Sequence, residues 1–536
     1  MEQRVGRDTQ QNVGRNTKQH TEQHTEQSSP EQKGKFAALA VWLFVGAYPL
    51  FFLHGYADVA EAKFLLMKGI LILTAGGIFL IQITDFFLQK NKAQYLWEKG
   101  TAWVRPLSFT DKAVLGLYIS FLISFILSAD KKTAWTGQAA NGCGMLYYQL
   151  CFLLYFMVSR FYEPETRAWK WWFISTILLT GYALIQFLGF DFLRLFPDGA
   201  EGIVTDFLSF LGNTGVFALY ITLVLPAALY FCCMADRKNF SAGERVLCHS
   251  TLYLCCAGVL CANCDVAYLG FAAGYAGIAI LTARDAAVAR RFLLLTAGMC
   301  CCAKLTGLLF FLCEDTVRNV SRMTSFLLES PLLWFAAAGS LALAALVSTR
   351  TVKVYRCICV AVTVLSVSAL GSSFLWFSVV DRSTPLGGLE NYFRFSDNWG
   401  TERGYIYSRL LRVFGEENFF RKLFGRGPGM TFPVIQAHFR EEMYECFEYV
   451  YDDAHSQWIT LLITTGLSGC LWMLTALASG IFRALKRGGA PVLSVLLMVY
   501  VIVSTVSITQ PVTGPFLWLG LGVAEASVRG SHKTSP

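Results

Sequence analysis

Long apolar blocks, most of them 17–25 residues, recur along the chain between short polar stretches. Each is close to the roughly 20 apolar residues a helix needs to cross a bilayer core of about 30 Å. A chain of 536 residues has room for three or four soluble domains, but uninterrupted apolar blocks of this length exclude that organisation. The composition agrees: 54% of residues are hydrophobic and 15% charged, against roughly 45–50% and about 25% in ordinary soluble domains. Intrinsic disorder, collagen-like fibre and small disulfide-stapled scaffolds are excluded as well.

Fourteen blocks are legible, over 36–53, 64–88, 113–129, 145–159, 171–190, 214–234, 246–262, 266–283, 292–313, 332–348, 357–380, 458–482, 491–508 and 516–528. Blocks 145–159 and 516–528 are short for a span, so the expected fold is an all-α membrane bundle of 12–14 transmembrane helices. With the N-terminus inside, the predicted inner loops and tail carry 22 Lys and Arg and the short outer loops 6. Basic residues are retained on the cytoplasmic side, so both termini are expected there. The net charge of +8 is then retention charge, not a nucleic-acid footprint. Lys304 lies mid-block, where an isolated charge is costly and usually functional; a polar cavity or a carboxylate such as Asp265 would satisfy it. Asp85 and Lys68 lie nearer block ends, within snorkelling reach.

Residues 1–35 are rich in Gln, Thr and Glu and repeat His-Thr-Glu-Gln at His20–Gln23 and His24–Gln27. Such a segment buries no core and reads as a disordered cytoplasmic tail. The expected domains are that tail, a bundle over 36–380, an outer loop domain of mainly helical rhythm over 381–455, C-terminal spans over 456–528 and a tail over 529–536. Most of the seventeen cysteines lie inside apolar blocks, where a thiol acts as a small hydrophobe. No metal-ligand spacing stands out, so no metal or other cofactor is expected.

The segment 381–455 is about 75 residues long, and loops of such length in a compact bundle are usually functional. His455 closes it beside Asp452 and Asp453, just before an apolar block. Its side chain titrates near neutrality, which suits a general base, with a neighbouring carboxylate available to orient the ring; a surface histidine at a helix entrance is the plain alternative. Arg403, Arg409 and Arg412 recur at helical spacing and offer guanidinium forks to an anion, or else form a solvated face with Glu402, Glu416 and Glu417. Gly425, Gly427 and Gly429 would either bring N–H groups toward a phosphate or make a tight turn. Asn213 opens a block and is read as a helix cap or a cavity contact.

Three motifs occur in order: Arg403 with Tyr407 four residues on, the Gly425-Arg426-Gly427-Pro428-Gly429 turn, and Ala454-His455-Ser456 followed by Trp458 and Gly466-Leu467-Ser468-Gly469. Together with Leu211-Gly212-Asn213 and Pro515-Phe516-x-Trp518, this order resembles the O-antigen ligase/polymerase superfamily of membrane glycosyltransferases. The likeness spans roughly residues 205–525. Two features depart from that pattern. Ser456 stands where the family has Asn, and Asn263-Cys264-Asp265 stands where many members have a Ser-Arg-Gly-like turn; Arg318 or Arg322 in the next outer loop would have to supply the missing cation.

The resemblance implies a metal-independent transferase at the outer face of a bacterial cytoplasmic membrane. Its partners would be the lipid bilayer, a polyprenyl-pyrophosphate-linked glycan donor and a glycan or lipid-linked acceptor, and its product a polymer or a ligated surface polysaccharide. His455 and Arg403 are then the expected catalytic pair. Arg409, Arg412, Gly425, Gly427, Gly429, Asp453, Asn213, Arg318 and Arg322 are expected to bind substrate. The rival from another class is a flippase or transporter without transferase activity, which predicts symmetric repeats and charges in mid-bundle. No internal repeat of that type is legible.

Overall fold

The computed structural model describes residues 30–89, 91–95, 97, 107–138, 142–196, 206–486, 490–507 and 510–533. The repeated His-Thr-Glu-Gln segment lies outside these residues. The described part is almost entirely helical, its only strands being the antiparallel pair Phe207–Leu208 and Gly212–Asn213.

Every apolar block overlaps a helix, though 36–53 and 491–508 run several residues past theirs. The helices are α1 (30–46), α2 (Val59–Leu88), α3 (Phe109–Leu127), the short α4 (Lys131–Thr136), α5 (Met145–Phe161), α6 (Thr166–Phe187) and α7 (Thr214–Met234). Next come α8 (Ala242–Ala262), α9 (Asp265–Thr282), α10 (Ala286–Leu312), α11 (Arg322–Glu329), α12 (Leu332–Leu346) and α13 (Val352–Leu375). The remainder are α14 (Trp399–Glu416), α15 (Phe419–Phe424), α16 (Thr431–Phe447), α17 (Gln457–Lys486), α18 (Val492–Val503) and α19 (Gly514–Lys533). Eight helices among the described residues are long and apolar enough to cross a bilayer, or nine if the bent pair α11–α12 forms one span. The chain is a multi-pass membrane protein. α1 begins at residue 30, so it takes in the last residues assigned by sequence to the tail; Lys33 there is paired with Asp85 at 2.7 Å, which ties it to the end of α2.

Helix α7 is the centre of the bundle: 89% of its most apolar stretch is buried, whereas none of the corresponding stretch of α13 is. α13 therefore turns its apolar side chains outward, as a lipid-facing helix does. α7 packs against α8 and α9. The approach to α9 is close, because a Cβ on Gly270 or Gly274 would overlap Thr222 or Pro226, the small-residue contact common between membrane helices.

Two lysines within apolar helices, Lys63 buried and Lys304 half-buried, have backbone partners. Lys63, counted by sequence in an outer loop, lies inside α2 with no exposure and donates to the carbonyls of Tyr48, Pro49 and Phe51 at 2.9–3.1 Å. Lys304 in α10 donates to the carbonyl of Ser330 at 2.7 Å and to that of Leu328, at the C-terminus of α11. Its partners are these carbonyls and not Asp265; it caps a helix whose last carbonyls have no partner within the helix and carry partial negative charge.

The loops divide between the two ends of the bundle. At one end Lys170 reaches Glu244 and Arg237 reaches Asp285, joining the basic loops 160–170, 235–245 and 284–291. Buried Asp111 there holds Arg160 and Arg529, and buried Glu525 holds Arg483. At the other end the Asn263 side chain accepts from Ser321 N–H, Arg318 donates to the Phe207 carbonyl and Tyr392 donates to Asp265. The 381–455 segment sits at this second end on a core of its own, with Ile406, Leu410, Ile435 and Met443 at its centre.

Candidate active site

His455 lies in the short link between α16 and α17. Its backbone is left-handed, φ 51°, an uncommon state for a residue with a side chain. Four contacts hold it there. Its N–H donates to Asp453 Oδ1 at 2.9 Å, and its Nδ1 meets the Asp453 carbonyl at 3.2 Å. The Tyr407 hydroxyl donates to the His455 carbonyl at 3.0 Å, and the Tyr451 ring meets the imidazole edge to face at 5.4 Å. A carbonyl only accepts, so the ring proton belongs on Nδ1, and Nε2 keeps its lone pair. Burial, with the nearby Arg403 guanidinium, holds the His455 pKa below the ordinary 6.5. The imidazole is therefore neutral at pH 7.

Arg403 follows three successive left-handed residues, Gly400, Thr401 and Glu402. A β-branched residue in that region is strained. Glu402 is anchored there by the hydroxyls of Tyr449 and Tyr451 at 3.1 and 2.5 Å. The turn delivers Arg403 with one nitrogen donating to the Gly400 carbonyl and with Nε buried and without a partner among the described residues. Its charge is felt at His455 and at Cys264, the residue before α9. It thus stands beside the turn where the sequence lacks the expected arginine.

The other arginines are engaged elsewhere. Arg409 is held by Asp397 and Glu442 at 2.8 and 2.9 Å and lies over the Tyr405 ring at 4.0 Å, so it braces the segment. Arg412 is exposed on the same helix. Arg318 donates to the Phe207 carbonyl with its guanidinium over Phe196, and Arg322 is exposed at the start of α11. Neither joins the His455 group. Asn213 caps α7 by accepting from Gly215 N–H at 2.8 Å.

The glycine turn serves packing. Helix α17 breaks at Gly466 (φ 66°, ψ −164°), which frees carbonyls in its first segment. Arg426 N–H takes that of Ile463 at 2.9 Å, and Gly427 N–H and the Ser124 hydroxyl take that of Thr464. A Cβ on Gly425 would strike Thr464, and one on Gly427 would strike Ser128. The turn therefore docks on the broken helix, and its N–H groups at 426 and 427 are spent on protein carbonyls rather than offered to a phosphate.

Asp453 is 5% exposed, and burial followed by the Asp452 charge raises its pKa to about 7. Its carboxyl braces the His455 turn and lines a cavity. Tyr407, Tyr451 and Glu402 also contact this group. Tyr451 carries no local sequence signal, and Glu402 reads by sequence only as a solvated-face partner, because their contacts depend on the left-handed turn at 400–402. No group of three His, Cys, Asp or Glu side chains with metal-binding geometry occurs among the described residues. No protein-family model, curated protein or solved structure matches the chain.

Proposed function

We propose that the chain is a membrane glycosyltransferase that takes glycan from a polyprenyl-pyrophosphate carrier at the outer face of a bacterial cytoplasmic membrane. It would act as a surface-polysaccharide polymerase or an O-antigen-ligase-like transferase, as the motif order suggests. The observation that carries this reading is the pairing of a neutral histidine, its Nε2 lone pair free of the ring proton, with an arginine that has no carboxylate partner among the described residues. Glycan transfer from such a donor makes two demands. A proton must leave the acceptor hydroxyl, and charge must be balanced on the departing pyrophosphate.

In this mechanism the acceptor oxygen bonds to the anomeric carbon as the bond from that carbon to the pyrophosphate oxygen breaks. The hydroxyl proton passes to His455 Nε2, and Arg403 stabilises the departing anion electrostatically. The basic loops joined at the opposite end of the bundle support an outward-facing 381–455 segment, because basic residues favour the cytoplasm. A transporter reading draws its support from buried charges in mid-bundle, and Lys63 and Lys304 are both tied up by backbone carbonyls. The experiment is to incubate purified protein with the lipid-linked glycan fraction of its source cells. Growth or transfer of glycan with release of polyprenyl pyrophosphate supports the proposal; an inert protein that instead moves the lipid across vesicles overturns it.

A further inference from the structure

A cavity of about 320 Å³ opens at the Asp452–Asp453 part of the His455 turn, between the glycine turn, the start of α16 and the start of α5. That is the lower part of the size range for small-ligand sites, roughly 300–1,000 Å³. Its wall includes Gln138, Tyr148, Thr431, Phe432, Asp452 and Asp453, and no Lys or Arg among the described residues lines it. Two carboxyl groups and no cation disfavour an anion, so the pyrophosphate end of a donor does not belong here.

The polar groups in the wall are poised for a neutral ligand. Thr431 is 5% exposed, yet its hydroxyl has no hydrogen-bond partner among the described residues. The side-chain oxygen of Gln138 is likewise buried and unpartnered. A buried polar group left unpaired is costly, and a ligand bearing hydroxyls would recover that cost. Tyr148 and Phe432 add aromatic faces suited to the C–H side of a ring. We infer that the cavity is a subsite for a neutral, hydroxyl-bearing sugar ring, held by Thr431, Gln138 and Asp453 two residues from the His455 base. This rests on the transferase reading and adds where a ring of the glycan or its acceptor sits.

Saturation-transfer NMR tests it without requiring turnover. Wild-type protein in nanodiscs, free of sugar-headed detergent, is titrated with methyl glycosides of glucose, galactose, mannose and N-acetylglucosamine. At least one glycoside should bind, Thr431→Val combined with Gln138→Leu should weaken it roughly tenfold, as loss of one or two hydrogen bonds predicts, and Thr431→Ser should retain it. His438→Ala, on an exposed residue outside the cavity wall, should leave it unchanged. Displacement by the lipid-linked glycan fraction marks the donor ring as occupant, and persistence of the signal marks the acceptor. No binding by any glycoside, or full binding by the double variant, overturns the subsite even if glycan transfer is observed. Binding without any transfer by the wild type leaves a sugar site but removes the transferase reading.

Discussion

His455 Nδ1 lies 3.2 Å from the Asp453 carbonyl, and the His455 N–H donates to the Asp453 carboxyl at 2.9 Å. One aspartate thus fixes both the tautomer of the histidine and the left-handed turn that carries it. The carboxyl that accepts from the turn is itself buried, and that has a pH consequence.

The native Asp453 carboxyl titrates at about 7, against an ordinary 3.8. Between those values the native state holds a proton that the unfolded chain releases. Its contribution to stability is therefore full below pH 3.8 and lost as pH rises through about 7. Asp453→Asn keeps an acceptor for the His455 N–H and removes the penalty. Thermal unfolding should show the variant more stable than wild type at pH 8, by an amount on the order of a few kcal/mol, with no gain at pH 4. Equal stability at pH 8 would contradict the assignment.

Arg403 should fail to tolerate lysine. A planar fork serves a pyrophosphate in a way a point charge does not, so Arg403→Lys should lose at least about tenfold in transfer rate. The positive charge that helps depress the His455 pKa remains, so the acid limb of the pH–rate profile should stay below 6.5 as in wild type. Normal rates in the lysine variant would remove Arg403 from the site.

Gly466 is the hinge on which the 381–455 segment docks. Its φ of 66° and ψ of −164° belong to a region essentially reserved for glycine, and a Cβ there would meet the Leu423 backbone at 2.5 Å. Gly466→Ala should cost more than about 3 kcal/mol in thermal or denaturant unfolding. A variant of wild-type stability would mean that the break is not needed to seat the glycine turn.

These three sites differ in how legible they were. Apolar length is a strong, local signal, and each block from 36–53 to 516–528 overlaps a helix; 214–234 agrees to the residue. The break at Gly466 was hidden inside one such block, because hydropathy does not register a single change of backbone sign. Arg403 and His455 stood out by motif order. Arg409 matched the same helical spacing as Arg403, but Asp397 and Glu442, 12 and 33 residues away, engage it. Partners that distant leave no trace in a local pattern. The same holds for Lys63, whose acceptors are carbonyls, and for the cavity built from Gln138, Thr431 and Asp453.

Topology can be read at Cys446, which is exposed on α16. A thiol reagent that does not cross membranes should label it in intact cells and should miss a cysteine introduced into 235–245. Protection of Cys446 together with labelling at 235–245 would invert the orientation and move the site to the cytoplasm.

The central claim is that His455 is the base. General-base help is worth about 10²–10⁴-fold, so His455→Ala should lower turnover by that order while donor binding survives. His438 is the internal control: it is exposed on α16, its Nδ1 near the Val434 carbonyl at 2.9 Å, outside the His455 group. The measurement is glycan transfer from the lipid-pyrophosphate donor by purified wild type, His455→Ala and His438→Ala. The account predicts loss of turnover in the first variant and wild-type rates in the second; a His455→Ala enzyme as fast as wild type would contradict it.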